Sequence, residues 1–166
     1  MTQLRTLLDL SERVLAALCV LAFVAMFVLG IATVVFRFLL ESSLAFPDEL
    51  IRYLFIWLVF LGSAIAFRRN MHAAIGLLVA RLPAGTKRIA LLAATILSAG
   101  FFVLVGHAGI QLTIRAAPQI SPALEVSMAW VMAAVPVGMG LLALYAIELF
   151  CRQWRAELSE LTAEDA

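Results

Sequence analysis

The sequence predicts an all-α integral membrane protein with four transmembrane helices and a short amphipathic surface helix between the second and third spans. Hydrophobic residues make up 64% of the 166 residues and charged residues 14%, whereas soluble domains average about 45–50% and about 25%. The hydrophobic residues also form long uncharged runs instead of alternating with polar ones, which favours helices over membrane strands.

The hydrophobic content excludes most soluble protein classes. The mean hydropathy is +1.06, and a chain of this size has too little interior to hide that much apolar surface from water. We therefore exclude a soluble enzyme, a nucleic-acid-binding module and a disordered chain, and we expect residues 1–166 to form a single membrane domain. The net charge of +1 implies no strongly charged partner.

Three of the four spans are long enough by themselves. Uncharged runs cover residues 14–36, 89–114 and 126–147, and a spanning helix needs about 20 apolar residues. The first run is longer than the roughly 7–15 apolar residues of a signal peptide, so we expect it to remain in the protein as a span. Pro136, followed by Gly138, predicts a kink in the fourth span.

The second span is long enough to cross a membrane only if it includes residues upstream of its uncharged run. The uncharged run over 53–67 is short, but Pro47 suits the first turn of a helix, where its missing N–H is not needed. Asp48 and Glu49 then lie where the helix dipole favours negative charge. We therefore predict a span over 47–67.

The spacing of the charged residues predicts an ion pair at the start of this span. Asp48 and Glu49 precede Arg52 by four and three residues, which is the favoured order, acid first, for a pair on one helix. We expect one of them to pair with Arg52 at the membrane edge.

The segment 70–82 is predicted to form the surface helix. Its apolar residues recur at helical spacing and share one face: Met71, Ile75, Leu78, Val79 and Leu82. At 1.5 Å per residue the segment is about 20 Å long, which is too short to cross a bilayer. It either lies flat on the cytoplasmic surface or is a plain amphipathic connector.

The basic residues predict the orientation in the membrane. Nine of the twelve Lys and Arg side chains lie in the two terminal segments and between spans two and three. Because positively charged segments stay in the cytoplasm, we expect both termini on the cytoplasmic side.

The spans offer few groups for chemistry. The titratable side chains well inside the uncharged runs are Cys19, His107 and Tyr145, and the sequence shows no metal-binding spacing, phosphate loop or nucleophile elbow. His72 and His107 are predicted near opposite faces of the bilayer, so they cannot ligate one haem. We expect no catalytic residue, no substrate-binding residue, no metal and no cofactor.

Small residues predict close helix contacts. Val59, Gly62 and Ala66 recur at spacings of three and four on the second span, and small residues four apart let another helix approach closely. Gly106 and Gly109 offer the same on the third span. The sequence leaves open whether these faces pack within the chain or on another subunit.

The stretch over 46–83 carries a characteristic series of features. In order they are Asp48-Glu49, Arg52, Trp57, Leu61-Gly62-Ser63-Ala64, Arg68, His72 and Leu82-Pro83. This series resembles the small membrane subunit of TRAP transporters, the tripartite ATP-independent periplasmic family. Residues 121–138 are also similar to the last span of that family.

The resemblance implies a subunit of a three-part uptake system and not an enzyme. In such systems a periplasmic binding protein captures an organic acid and meets the membrane part transiently, and a large multispan subunit carries the acid inward, usually driven by sodium. The small subunit is implied to be a scaffold in stable complex with the large one, among the lipids of the bacterial inner membrane and without nucleic acid. The candidate interface or structural residues are Asp48, Glu49, Arg52, Trp57, Val59, Gly62, Ala66 and His72.

The chain departs from the family pattern at two positions. The family often has Trp where this chain has Phe46, and an acidic residue where it has Gly76, which concerns partner contacts more than protein class. Two alternatives are the membrane anchor of a redox enzyme and the small subunit of a tricarboxylate-type carrier. The sequence does not identify the substrate or the coupling ion.

Overall fold

The computed structural model describes residues 2–39, 46–69 and 83–164, and the regular structure in these ranges is helical apart from one isolated bridge. The helices are α1 (Thr2–Leu39), α2 (Phe46–Arg68), α3 (Ala84–Ala116), α4 (Ala129–Met132) and α5 (Ala134–Glu164). Four segments are long and apolar enough to span a membrane: Leu8–Phe38, Phe46–Arg68, Ile89–Ala116 and Ala129–Cys151. The predicted all-α fold with four spans is confirmed, while the predicted surface helix over 70–82 lies outside the described residues.

The second span begins where its sequence favours a helix start. α2 begins at Phe46, so that Pro47 lies in the first turn together with Asp48 and Glu49. A proline in the first turn removes an N–H that has no partner inside the helix. α2 therefore extends one residue beyond the predicted 47–67 at each end.

The fourth span is interrupted near its start, upstream of the predicted kink at Pro136. α4 ends at Met132 and α5 begins at Ala134, but Ala133 between them keeps helical dihedral angles, and its N–H donates to the carbonyl of Ala129 at 2.8 Å. Pro136 has no N–H to donate to the carbonyl of Met132, and its ring crowds that carbonyl. The regular hydrogen-bonding pattern is therefore interrupted about one turn before the proline, within one continuous span.

The long helices pack in a row instead of a closed bundle. α1 lies against α2, α2 against α5, and α5 against α3, with α4 beside α3 and α5. Within the described residues the backbones of α1 and α3, at the two ends of the row, do not approach each other. Both end helices therefore expose large apolar side chains, among them Leu21 on α1 and Leu97 on α3.

The buried core lies near the Arg68 end of α2. It consists of side chains from α1, α2 and α5: Leu15, Leu61, Ala64, Phe67, Leu142, Tyr145 and Ala146. Phe67 also packs edge-on against Phe102 of α3, with ring centroids 5.2 Å apart. All four spans therefore meet at this end of the row.

Two glycines of α3 allow the close approach of the fourth span. A Cβ on Gly109 would lie 2.8 Å from Val135 and 3.2 Å from Pro136, and one on Gly106 would lie 3.3 Å from Met139. The predicted small-residue contact through Gly106 and Gly109 therefore forms inside this chain.

Candidate functional site

Glu49 fixes the start of α2 to the turn that precedes the fourth span. Its Oε2 atom accepts the backbone N–H groups of Ala123 and Leu124 at 2.9 and 3.0 Å, and its Oε1 atom accepts the hydroxyl of Tyr53. Hydrogen bonds to a carboxylate are about twice as strong as bonds between neutral groups. This buried side chain therefore holds together two segments that are distant in the sequence.

The turn is built to present those two N–H groups. The N–H of Ser121 donates to the carbonyl of Val126 at 2.9 Å, and the N–H of Glu125 donates back to the carbonyl of Ser121 at 3.2 Å. Glu125 lies in the left-handed region, at φ 54°, which closes the loop tightly. The N–H groups inside such a loop need an acceptor, and the Glu49 carboxylate supplies it.

The predicted pairing of Asp48 or Glu49 with Arg52 is wrong. The carboxylate of Glu49 is occupied by the turn and by Tyr53. Asp48 and Arg52 are both exposed, and the ion pairs among the described residues do not include Arg52. Spacing along one helix does not reveal the two backbone donors, because Ala123 and Leu124 lie 74 and 75 residues away from Glu49 in the sequence.

A pocket of about 520 Å³ opens between α2 and the fourth span. Its lining includes three of the predicted residues, Asp48, Glu49 and Arg52, together with apolar side chains such as Ile56 and Val131. The structure therefore brings these three candidates together around one opening.

Arg68 binds three carboxylates at the opposite end of α2. Its guanidinium nitrogens lie 2.6 Å from Asp9, 2.5 Å from Glu12 and 3.0 Å from Glu148, and only 6% of its side chain is exposed. Asp9 and Glu12 belong to α1 and Glu148 to α5. Because a buried charge is tolerated only when it is paired, this arrangement determines where three helices meet.

Tyr145 extends the same cluster. The guanidinium carbon of Arg68 lies 5.4 Å from the centroid of its ring, which is within the range of a cation–π contact. The hydroxyls of Tyr145 and Ser11 share a hydrogen bond at 3.1 Å, and Arg69 adds an ion pair with Glu12 at 2.7 Å. α1 is thus tied to α5 by side chains, although their backbones are not adjacent.

The partners of Arg68 were not predicted from the sequence. Asp9 and Glu12 lie just before the first uncharged run, and Glu148 lies directly after the fourth. All three therefore flank spans on the side that carries most of the basic residues. Acidic residues in that position are the pattern that could have identified them, because they can meet a basic residue at the end of another span.

The face of α2 formed by Val59, Gly62 and Ala66 is uncovered. Val59 is 43% exposed, and a Cβ added to Gly62 would meet no atom within 4 Å. Ala66 is half-buried. Unlike Gly109, Gly62 is therefore not used for packing within the described part of the chain.

The remaining candidates lie apart from this face. Trp57 is half-buried, and its Nε1 donates to the carbonyl of Trp130 at 3.2 Å, which adds a link between α2 and α4. His72 lies outside the described residues. Across residues 2–39, 46–69 and 83–164 no group of three or more His, Cys, Asp or Glu is arranged to hold a metal ion.

Comparison with known proteins identifies the family. Residues 26–156 match the family described as tripartite ATP-independent periplasmic transporters, DctQ component, and this match covers more than half of the chain. The chain belongs to this family of TRAP small permease subunits. It is therefore a multi-pass membrane protein and a transporter component.

Two relatives from Haemophilus influenzae both carry the name "Putative TRAP transporter small permease protein". The first is 38% identical over 80 residues, which are 48% of this chain and 50% of the relative, so the chain spans about half the length of that protein. The second is 25% identical over 116 residues, 70% of each chain. The family match itself favours a TRAP subunit over the redox-anchor and tricarboxylate-type alternatives.

Replacing Glu49 by Ala should destabilise the link between α2 and the turn. Two backbone N–H groups and the Tyr53 hydroxyl lose their acceptor, and unpaired buried donors are unfavourable. We expect a lower thermal midpoint in detergent and faster proteolysis within residues 121–126. The neighbouring Asp48→Ala variant removes an exposed carboxylate and should change neither, so equal midpoints for the two variants would contradict the role of Glu49.

Replacing Arg68 by Ala should destabilise the folded subunit more than replacing an exposed arginine does. Removing one partner of a buried ion pair costs about 3–5 kcal/mol in soluble proteins, and here Glu12 and Glu148 lose their shared cation. The matched control is Arg115→Ala, because Arg115 is exposed and belongs to no ion pair of the described ranges. Thermal midpoints of the purified variants measure the difference, and an Arg68 variant as stable as the Arg115 variant would refute the cluster as a stabilising element.

Proposed function

We propose that this chain is the scaffold subunit of a secondary TRAP transporter that takes up an organic acid. In this proposal sodium is the coupling ion, a periplasmic binding protein delivers the acid, and a large multispan subunit carries it. Family membership supports the three-part system, and the use of the chain's own polar groups supports the scaffold role.

The charged groups Glu49 and Arg68 hold helices and turns together and are not free to bind a solute. Ionisable residues often mark a solute pathway in a membrane protein, but Arg68 is covered by three carboxylates and an aromatic ring. Arg52 lies less than two turns after the start of α2, near the membrane edge. Within the described residues the helices also form an open row instead of a closed bundle around a central path. The carrier activity is therefore assigned to the large subunit.

The open face of α2 is the observation that supports a partner-binding role most directly. Small residues on an exposed helix face allow a second helix to approach closely in a membrane, and the space in front of Gly62 is empty to at least 4 Å. α2 is held at one end by Glu49 and at the other by Arg68. A face on such a fixed helix suits the stationary side of a carrier in which another part moves.

We further propose a single membrane domain over residues 1–166 in the bacterial inner membrane, with both termini in the cytoplasm. The Arg68 cluster supports this topology, because it joins the N-terminal part of α1, the C-terminal end of α2 and Glu148 of α5. These three points therefore lie on one side of the membrane. The excess of basic residues on that side makes it the cytoplasmic one.

Reporter fusions test the topology. A fusion at Ala166 should report the cytoplasm and a fusion at Gln119, in the segment between α3 and α4, should report the periplasm, since an odd number of spans separates them. Alkaline phosphatase and a fluorescent protein that is dark in the periplasm give opposite readouts at each site. The same location for both fusions would refute the four-span topology.

Replacing Gly62 by Leu should weaken the complex without unfolding the subunit. The side chain fills space that is empty in this chain but needed by a close partner helix, and overpacking costs about 1–3 kcal/mol. We expect less large subunit to co-purify with the variant, while its own thermal midpoint is unchanged. Gly109→Leu is the contrasting variant, because its side chain collides with Val135 and Pro136 and should lower the midpoint of the subunit itself.

Two results would count against this proposal. Unchanged co-purification of the Gly62 variant would move the interface to another face. Sodium-dependent uptake of a carboxylate by the small subunit alone, reconstituted in liposomes, would refute the scaffold role.

A further inference from the structure

The outer face of α3 carries two polar side chains among exposed apolar ones. His107 and Gln111 are one turn apart and both exposed, with their Nε2 atoms 3.1 Å from each other. The surrounding residues of this face are strongly exposed as well, at 63% for Val103, 69% for Leu104 and 67% for Ile114. In a membrane this face would meet acyl chains unless protein covers it.

The depth of the pair makes lipid an unsuitable neighbour. His107 lies nine residues before Ala116, the end of the apolar segment of α3, which corresponds to about 13 Å along the helix. Helical side chains point toward the N-terminus of their helix, so Gln111 leans toward His107 and toward the membrane interior. The imidazole therefore lies within the hydrocarbon region, where headgroups and water are scarce.

The two side chains have more hydrogen-bonding groups than they satisfy. Their mutual bond uses one position on each, whereas an amide offers a carbonyl oxygen and two N–H groups and an imidazole offers two nitrogens. Within the described residues neither His107 nor Gln111 has a further hydrogen bond. Leaving such groups unpaired in an apolar medium is costly, which favours a polar protein group opposite them.

We propose that this face of α3, defined by Gly100, Leu104, His107 and Gln111, is a second contact with the large subunit. Its occupant is a membrane helix of that subunit with a polar side chain opposite the His107–Gln111 pair. The identity of the partner rests on the proposed function, and the polarity of its contact follows from the hydrogen-bonding groups on this face.

The geometry of the row is suited to such a contact. α3 is an end helix, and its glycine face is turned toward the fourth span, so a new helix can pack on the outer side without displacing any existing one. A Cβ at Gly100 would meet no atom within 4 Å, which permits close approach about two to three turns from the polar pair.

Site-specific crosslinking tests the occupant directly. A photoreactive phenylalanine analogue replaces Leu104 in the chain co-expressed with the large subunit, and the adduct is sized and identified after irradiation of membranes. The expected product joins this chain to the large subunit. An adduct of two copies of this chain, or labelled lipid without a protein adduct, would overturn the proposal.

Replacing one polar side chain of the pair provides the second measurement. Gln111→Leu should reduce co-purification of the large subunit about threefold, the factor that an average hydrogen bond between membrane helices contributes, and should leave the midpoint of the isolated chain unchanged. Thr33→Val is the control, since the Thr33 hydroxyl bonds to Leu29 of its own helix. Undiminished co-purification of the Gln111 variant would overturn the contact on α3. If the wild-type complex forms in the same experiment, that result would not count against the scaffold role.

Discussion

The ion pairs of Arg68 determine how the helices of this chain can be arranged. An arginine with 6% of its side chain exposed needs counter-charges, and the structure provides them from α1 and α5 on either side of α2. Any arrangement that separated these helices at this end would leave a buried cation or a buried carboxylate unpaired. The order of α1, α2 and α5 at this end of the row is consistent with this requirement.

A division of roles along α2 follows from the positions of its polar contacts. Glu49 secures the first turn to the segment before the fourth span, and Arg68 secures the last turn to α1 and α5. Between them the helix is apolar, and Gly62 faces empty space. A helix that is fixed at both ends and open in the middle is suited to receive a partner without changing its own position, which is what a scaffold in a carrier must do.

Much of the fold could be predicted from the sequence, because membrane-spanning helices require long uncharged runs. Such runs can be recognised in the sequence without knowledge of any tertiary contact. The start of α2 was predictable for the same kind of local reason, through Pro47 and the acids after it. The interactions that could not be predicted are contacts between segments that are distant in the sequence. The partners of Arg68 come from other helices, and two of the three donors to Glu49 come from the turn before the fourth span. Spacing along α2 instead favoured a local pair with Arg52, which the structure does not contain. The candidate face at Gly62 was predictable as a pattern, but only the structure shows that Gly109 packs internally and Gly62 does not.

Contacts within this chain set the row of helices before any partner binds. Nitroxide labels at Leu21 on α1 and Leu97 on α3, both strongly exposed and at opposite ends of the row, report its geometry by double electron–electron resonance. We expect one narrow distance distribution for the isolated subunit in lipid nanodiscs, and the same distribution when the large subunit is present. A broad distribution in the isolated subunit that narrows only in the complex would contradict it.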